Sequence, residues 1–350
     1  MQTINEKLVK IYDKIIILLA DRRNDMKITV IGCGRWGSCI AWYLDKIGKD
    51  VTLYGRESSK NFQRFLECRE NDFLKLPKSL KLSSNLEEVL NSEVLVISVG
   101  AQNFRSLLKE LSNLGLKDKK IVLCMKGIEI ESRKRLSQVA KEEIDSSNKV
   151  AVWIGPGHVQ EFYRGVPNCM VIDSEDEELK KYLVQQFSSP LIRFYYGTDL
   201  IGNEIGAALK NVIGIAAGGL DGLGVSSLKG ALMSRGTREV SRLIDAMGGN
   251  PFSAYGLCHL GDYEATVFSE YSNNRKFGES LAKGEEFSKL AEGYYTAKAV
   301  MKLKEEYEVD MPISTAVYNI CYENKSAEEE IENLFLRSLK DEFTKGELNE

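Results

Sequence analysis

The sequence is poor in the residues that build metal centres and disulfide frameworks. Its 350 residues include two histidines, and none of its seven cysteines belongs to a CxxC pair. A zinc site therefore lacks ligands, and we expect reduced thiols and no metal. Cys258 and His259 are neighbours, but a catalytic Cys and His normally come from separated segments, so we favour a packing role for both.

Strong charge excess and long apolar runs are also missing. The formal net charge is -4, which argues against the basic surface that nucleic-acid binding requires. No apolar stretch approaches the roughly 18 residues of a membrane span, and the run at residues 15–20 is too short for a signal-peptide core. We therefore expect a cytoplasmic protein with no nucleic-acid partner and no integral membrane segment.

The chain is long enough for two domains, because 350 residues exceed the usual size of one hydrophobic core. From residue 27 to about 196, short β-rich runs alternate with helical patterns, which predicts a mainly parallel sheet covered by helices on both faces. Helical periodicity then occupies residues 199–218, 226–247 and the chain from 291 onward. The predicted class is α/β, with a Rossmann-type domain at residues 26–196 and an all-α domain at residues 197–350.

Residues 1–25 precede this pattern and have the spacing of an amphipathic helix. Its apolar face would consist of Ile4, Leu8, Ile11, Tyr12, Ile15, Leu18 and Leu19. Such an extension is either an added element for packing or dimerisation, or a sign that translation starts at Met26. Both interpretations stay open.

A GxGxxG motif follows the apolar run at residues 28–31 and opens the helix predicted from Arg35. Gly32 would make the tight turn, Gly34 would let backbone amides reach a pyrophosphate, and Gly37 would let helix and strand pack closely. The start of the helix adds partial positive charge. Between a strand and a helix near the start of a domain, this motif predicts a site for NAD or NADP.

The end of the second predicted strand bears on the choice of dinucleotide. An NAD site usually places an acid there to bind the ribose 2′-hydroxyl. Here Arg56 comes first and could pair with a 2′-phosphate, which favours acceptance of NADP. A merely exposed Arg56 is an equal alternative, and Glu57 keeps NAD open.

Three further segments place glycine or polar residues at the ends of predicted strands, where open α/β sheets bind ligands. They are residues 99–103, 125–127 and 155–158. Lys126 is the most informative of these residues, because a lysine directly after a buried strand normally faces a crevice.

Several motifs then occur in a characteristic order. They are the glycine loop, MKGIE, IGPGHVQEFYRGVPN, NEIGAALKNVIGIAAGGLDGLG, LMSRGTREVSRL, GLCHLGD, NNRKFG, AEG and DMPI. Together they resemble bacterial-type NAD(P)-dependent glycerol-3-phosphate dehydrogenase, from Met26 to the tail. The resemblance implies reversible reduction of dihydroxyacetone phosphate to sn-glycerol 3-phosphate for glycerophospholipid synthesis, with NAD or NADP as cofactor and a possible homodimer.

The resemblance also implies roles for individual residues. Lys210 matches the catalytic acid/base, and Lys126 matches a catalytic lysine that contacts substrate and cofactor. An ammonium at Lys210 can protonate the developing alkoxide, and we expect Lys126 to lower its pKa toward neutrality and to stabilise the oxyanion. The implied substrate contacts are Lys126, Gly155, Gly157, Asp262, Ser272, Asn273 and Asn274. The implied cofactor contacts are Gly32, Gly34, Arg35, Trp36, Gly37, Arg56, Lys126, Val159, Asn273 and Glu292.

Two departures from the family pattern affect the substrate end. Gly157 replaces the serine of a Gly-Pro-Ser loop, and Asn273 replaces the arginine of a Ser-Arg-Asn segment. His158 is either a replacement donor or a filler, and Arg275 could compensate for the lost charge, although two residues along a helix it should point elsewhere. The departures leave two rival functions: a related dehydrogenase for another small hydroxy or phosphorylated substrate, and a non-catalytic dinucleotide sensor. Intact Lys126, Lys210 and Asp262 argue against the sensor.

Overall fold

The computed structural model describes residues 26–339, 341 and 342, so the helix predicted at residues 1–25 lies outside the described residues. One eight-stranded sheet organises the first part of the chain, in the order β3-β2-β1-β4-β5-β6-β7-β8. The strands are β1 (Lys27–Ile31), β2 (Asp50–Tyr54), β3 (Lys81–Ser83), β4 (Val94–Ile97), β5 (Lys120–Leu123), β6 (Lys149–Ile154), β7 (Asn168–Asp173) and β8 (Ile192–Tyr196).

Within the described residues, six helices alternate with these strands and six more follow them. The first six are α1 (Arg35–Lys46), α2 (Lys60–Cys68), α3 (Phe104–Asn113), α4 (Leu136–Glu143), α5 (Val159–Tyr163) and α6 (Glu177–Phe187). The later six are α7 (Leu200–Gly222), α8 (Lys229–Ala246), α9 (Asn273–Lys283), α10 (Glu292–Glu306), α11 (Pro312–Tyr322) and α12 (Ala327–Phe335). Short turns of 3₁₀-helix lie at Glu87–Asn91, Ala101–Asn103, Ser226–Leu228, Pro251–Tyr255 and Leu260–Asp262, and a π-helical turn at Glu264–Phe268. None of the described helices is long and apolar enough to cross a membrane.

The sheet has an apolar core on each face. Helices α1, α2 and α6 pack on one face and α3 and α4 on the other. The central strand β4 is therefore buried along its whole length, which explains why its sequence is a continuous apolar run rather than an alternating one. The carboxyl ends of the parallel strands meet at one edge, where the predicted site loops lie.

The predicted α/β class is confirmed, with two differences in detail. The sequence pattern did not predict β3, an edge strand of three residues that is too short to show a period. Strand β7 runs antiparallel to β6, whereas the other neighbouring strands are parallel. Strand β7 is buried along most of its length, like the parallel strands. Its composition therefore does not reveal that it runs in the opposite direction.

The second part of the chain is built around α7, a helix of 23 residues that is buried on nearly every side. Helices α8, α9, α10 and α11 pack around it, so it is apolar all round rather than amphipathic. The turn between β8 and α7 contains the predicted boundary at residues 196 and 197. We propose that the two domains divide there.

A buried ion pair joins the two parts. The guanidinium of Arg135, just before α4, donates to the carboxylate of Glu204 near the start of α7, with 2.5 Å between nitrogen and oxygen. The same carboxylate accepts hydrogen bonds from the amide and the hydroxyl of Ser137. The start of α7 is thus fixed against the sheet domain by groups that are more than 90% buried.

Replacing Glu204 by alanine should destabilise the protein, because it leaves the Arg135 charge buried without a partner. We expect a loss of about 3 to 5 kcal/mol in the free energy of unfolding, measured by urea denaturation. The matched control is Glu306→Ala, which removes the exposed ion pair between Arg133 and Glu306 and should cost about 1 kcal/mol or less. Equal effects of the two substitutions would contradict this role for Glu204.

Candidate active site between the sheet and helix α7

The glycine loop leaves open space where a dinucleotide would bind. Gly32 has φ of +114°, and a Cβ there would lie 2.1 Å from the carbonyl oxygen of Ser98, so only glycine fits this turn. A Cβ on Gly37 would lie 2.0 Å from the carbonyl oxygen of Gly32. At Gly34 a Cβ would meet nothing within 4 Å. The loop therefore combines tight packing behind it with free space before the start of α1, which fits a pyrophosphate.

Three other predicted cofactor contacts lie around this loop. The indole nitrogen of Trp36 is buried without a hydrogen-bond partner in the described part of the chain. Val159 is the buried first residue of α5. Glu292 opens α10, and burial raises its pKa to about 7, although a hydrogen bond from the backbone of Ala101 opposes this effect. The structure thus brings Glu292 from the helical part to the loop that follows β4.

Arg56 lies after β2 but is already engaged. Its guanidinium forms an ion pair of 3.0 Å with Glu110, and the two side chains are 55% and 46% exposed. The neighbouring Glu57 accepts a hydrogen bond from the hydroxyl of Ser84. Neither side chain is buried or fixed firmly, so the geometry leaves both NAD and NADP open.

The predicted catalytic residues converge on one carboxylate. The Nζ atom of Lys210 lies 2.5 Å from Oδ2 of Asp262, and Nζ of Lys126 lies 2.7 Å from the same oxygen. Lys126 comes from the loop after β5 and Lys210 from the middle of α7, so the site is assembled across the crevice. Lys126 also donates to the carbonyl oxygen of Gly155 over 2.7 Å, which ties the third predicted loop to the cluster.

The pKa of Lys210 is lowered to about 7, as the sequence led us to expect. The main cause differs from our expectation, because burial of the ammonium contributes most and the charge of Lys126 contributes less. The Asp262 carboxylate acts in the opposite direction and raises the pKa. A lysine in this balance carries a proton that it can give up near neutral pH.

The predicted phosphate end is formed by the start of α9. Ser272 caps this helix by accepting from the amide of Arg275. Asn274 donates to the side-chain oxygen of Asn211 and accepts from the amide of Gly293, so it links α9 to α7 and α10. The amide side chain of Asn273 donates to the carbonyl oxygen of Leu290.

Arg275 does not compensate for the missing arginine at position 273. Its guanidinium binds Asp221 near the end of α7 over 3.2 Å and Glu279 over 3.1 Å. Arg275 lies two residues after position 273, so the helical period points its side chain in another direction, toward these acids, as expected.

The glycine at position 157 has a structural reason. Gly157 has φ of +154°, and a Cβ there would lie 2.3 Å from the buried ring of Phe162. A serine at this position would require the loop or the ring to move. His158 follows, only 7% exposed. Its Nε2 atom has no partner in the described residues, and burial lowers its pKa.

Sequence reasoning missed several residues that the structure places at the site. The hydroxyl of Thr266 accepts from Lys210 over 2.9 Å and donates to the carbonyl oxygen of Asp262. Its four-residue spacing from Asp262 was the only signal for it. Asn211 was visible as the residue after Lys210, but its bond to Asn274 depends on the tertiary fold.

Cys258 and His259 do not form a nucleophilic pair. Burial raises the pKa of the Cys258 thiol well above its usual range. The His259 ring contacts the carbonyl oxygen of Gly206 and the hydroxyl of Tyr263. This arrangement agrees with the packing role that we favoured.

Comparison with known proteins identifies two family segments in the chain. Residues 27–180 match the NAD-dependent glycerol-3-phosphate dehydrogenase N-terminus, and residues 199–332 match the C-terminus of the same family. The glycerol-3-phosphate dehydrogenase [NAD(P)+] of Fusobacterium nucleatum is 37% identical over 330 residues, which cover 90% of this chain and 98% of that protein. Its counterpart in a Thermoanaerobacter species is 34% identical, with 91% and 99% coverage.

A solved structure agrees with these relatives. The crystal structure of glycerol-3-phosphate dehydrogenase from Coxiella burnetii matches 89% of this chain and 99% of its own, at 26% identity and a TM-score of 0.84. The relatives' names carry NAD(P)+, in agreement with the predicted choice between NAD and NADP. The matches span both parts of the chain, so the resemblance found in its motifs is confirmed. The chain belongs to the NAD-dependent glycerol-3-phosphate dehydrogenase family.

Proposed function

We propose that this protein catalyses the reversible, NAD(P)H-dependent reduction of dihydroxyacetone phosphate to sn-glycerol 3-phosphate, which supplies glycerophospholipid synthesis. The observation that carries the proposal is the cluster of Lys210, Lys126 and Asp262 between the sheet and α7, in a chain of this family. Because its substrate and cofactor are charged metabolites that do not cross membranes freely, we also infer a cytoplasmic location.

The residues of the cluster have separate tasks. A bound NADH or NADPH would supply the hydride that reduces the ketone carbon. Lys210 gives its proton to the oxygen that becomes the hydroxyl, and Lys126 stabilises the charge on that oxygen as it develops. Asp262 holds both ammonium groups through Oδ2, while its buried Oδ1 has no partner within the described chain and can accept a hydrogen bond from a substrate hydroxyl.

The remaining predicted contacts divide between the two ligands. We propose Gly155, Gly157, Ser272, Asn273 and Asn274 as substrate contacts. We propose Gly32, Gly34, Arg35, Trp36, Gly37, Val159, Asn273 and Glu292 as cofactor contacts, together with Lys126 and Arg56. The two rival functions make different predictions. A dehydrogenase for another substrate would turn over dihydroxyacetone phosphate slowly and an analogue faster, and a sensor would bind the dinucleotide without turnover.

Lys210→Ala should lower kcat/KM for dihydroxyacetone phosphate by about 100-fold to 10,000-fold, because a general acid is lost. In the wild type, kcat/KM for reduction should fall as the pH rises through about 7, since Lys210 must be protonated to act as an acid. In the oxidation of glycerol 3-phosphate the same group acts as a base, so the rate should rise through that pH. Both profiles are measured from NAD(P)H absorbance, and the inflection due to Lys210 should vanish in Lys210→Ala.

The matched control for this experiment is Lys180→Ala. Lys180 is also a buried lysine, but it binds the carbonyl oxygen of Gly197 and the carboxylates of Glu177 and Asp173 rather than Asp262. Its replacement should keep the pH profile of the wild type, including any inflection that the substrate phosphate itself contributes. Equal turnover in wild type and Lys210→Ala, with the fold and cofactor affinity intact, would rule out the mechanism.

We propose that Arg56 favours NADP by pairing with its 2′-phosphate. Arg56→Ala should then lower kcat/KM for NADPH by about tenfold and leave NADH unchanged, because one charge-assisted contact is lost. Glu110→Ala is the control, since it removes the acid that now holds Arg56 and should keep or raise the preference for NADPH. An unchanged cofactor preference in Arg56→Ala would show that Arg56 does not select NADP.

We also propose a homodimer, supported by an apolar groove of about 1050 Å³ bordered by helices α7, α8, α11 and α12. Phe335, Leu336 and Leu339 stand exposed beside it, at 69%, 81% and 101%. Basic residues of α8 line the groove, namely Arg235, Arg238 and Arg242, and the exposed face of α12 is acidic, with Glu328, Glu329 and Glu332. A two-fold axis would set the basic helix of one copy against the acidic helix of the other.

Sedimentation should therefore give twice the mass of one chain. Phe335→Glu should shift this mass toward the monomer, because it places a charge in the apolar contact. Phe252→Glu is the matched control, since Phe252 is equally exposed at 69% but does not line the groove. A monomeric wild type, or a dimer that Phe335→Glu leaves intact, would reject this surface.

A further inference from the structure

Arg35 reaches across the crevice rather than along the glycine loop. It is the first residue of α1, yet its Nη1 donates to the carbonyl oxygen of Tyr271, just before α9, over 2.9 Å. Its Nη2 donates to the side chain of Gln160 over 3.0 Å, and the guanidinium lies 4.9 Å from the ring centroid of Phe73. A cation from the sheet domain therefore touches the segment that begins α9.

The charge of Arg35 has no counterion among the described residues. Both of its hydrogen-bond partners are neutral oxygens. Of the side chains in the described ranges, no carboxylate lies within 4.0 Å of the guanidinium. Burial also lowers the pKa of Arg35, so the group has lost part of its hydration without gaining an acid. A guanidinium in this condition favours an anion brought by a ligand.

Other polar groups without hydrogen-bond partners lie next to Tyr271. The His158 ring packs against Tyr271, with 5.6 Å between ring centroids, and its buried Nε2 lacks a partner in the part of the chain described. Helix α9 has 11 residues and starts beside Tyr271, so its N-terminus adds partial positive charge. Ser272 satisfies one of the amides at this end by accepting from Arg275; the amides of Asn273 and Asn274 have no place in the helical ladder.

The segment around His158 also links this site to the cluster of Lys126, Lys210 and Asp262. The charges of Arg35, Lys210 and Asp262 all act on the His158 imidazole, together with that of Glu161 on α5. His158 lies in the segment between Gly155, whose carbonyl oxygen accepts from Lys126, and Gln160, whose side chain accepts from Arg35. The pyrophosphate of a dinucleotide already has the loop amides and the start of α1, whereas the substrate end has lost the arginine that Asn273 replaces.

We propose that Arg35 binds the phosphate group of the substrate, so that the guanidinium missing at position 273 is supplied from the glycine loop of the other domain. This inference rests on the proposed function and extends it, because Arg35 was expected only as a cofactor contact. The phosphate would lie between Arg35, the first amides of α9 and the side chain of Asn273. His158 would donate a further hydrogen bond from Nε2 once the ligand displaces Tyr271 from its contact with the His158 ring.

Such a site would link the two domains through the bound substrate. The substrate phosphate would bind a residue of the sheet domain and the start of a helix of the second domain at once. It would replace the carbonyl oxygen of Tyr271 as the partner of Arg35, and it would therefore join the two domains through the substrate itself. A substrate without phosphate would gain nothing from this contact.

The test is Arg35→Ala, assayed with dihydroxyacetone phosphate and with dihydroxyacetone, which lacks the phosphate. The KM for the phosphorylated substrate should rise about tenfold or more, because a charge-assisted pair is lost. At saturating NADPH, which compensates for the cofactor contact also proposed for Arg35, kcat/KM for dihydroxyacetone should fall far less than kcat/KM for dihydroxyacetone phosphate. The Kd for NADPH, measured by fluorescence without substrate, should change far less than the KM. A rise in the cofactor Kd with an unchanged substrate KM would assign Arg35 to the cofactor pyrophosphate and overturn the proposal.

Rescue provides a second, independent arm. In Arg35→Ala/Asn273→Arg the cation returns from the side of α9, and the KM for dihydroxyacetone phosphate should fall back toward the wild-type value. The matched control is Arg275→Ala, which removes an arginine of the same helix that is bound to Asp221 and Glu279. It should leave the ratio of activities on the two substrates unchanged. A loss in Arg275→Ala as large as that in Arg35→Ala would also reject the assignment.

Calorimetric titration with inorganic phosphate separates this inference from the proposed reaction. If the wild type binds phosphate, Arg35→Ala does not, and neither reduces dihydroxyacetone phosphate, the proposed reaction fails and the phosphate site stands. If the wild type reduces dihydroxyacetone phosphate and Arg35→Ala matches it in KM and in phosphate affinity, only the assignment of Arg35 fails.

Discussion

The carboxylate of Asp262 accepts from two ammonium groups that reach it from opposite sides of the crevice. Lys126 follows β5, Lys210 lies within α7, and Asp262 itself is only 1% exposed. The two neighbouring cations would repel each other without this carboxylate, and a buried carboxylate without them would be strongly disfavoured. The arrangement of the whole crevice depends on this shared oxygen, because it fixes α7 at the distance from the sheet where chemistry takes place.

The same cluster explains why Lys210 rather than Lys126 is the proton donor that we propose. Lys210 is buried in α7, and Lys126 keeps 19% of its side chain exposed. Burial and the neighbouring cation lower the pKa of Lys210, and Asp262 limits the fall so that the value stays near 7. Loss of the proton changes the net charge of the cluster from +1 to zero. A change of this size in a buried site can follow the charge on a reacting oxygen.

The sequence predicted which charged residues form the cluster better than it predicted the contacts around them. The strand, glycine loop and helix succession predicted the sheet domain, because residues close in sequence form each of its units. Lys126 and Lys210 were recognised as a pair through motifs, although they are 84 positions apart in the sequence. The contacts of Thr266 and Asn211 depend on how α7 packs against later turns, and β3 is too short to carry a pattern. Local order was therefore predictable, and the partners of buried polar groups were not.

The two departures from the family pattern have different physical meanings. Gly157 has a positive φ, and a side chain there would clash with Phe162, so the packing of its loop explains why this position is glycine. Asn273 removes a charge from the start of a helix where only partial charge remains, and a phosphate bears about two negative charges at neutral pH. A helix N-terminus offsets part of that charge. We infer that a phosphate site here needs a cation from another element. Arg35 reaches this segment, and no acid of the described residues is paired with it.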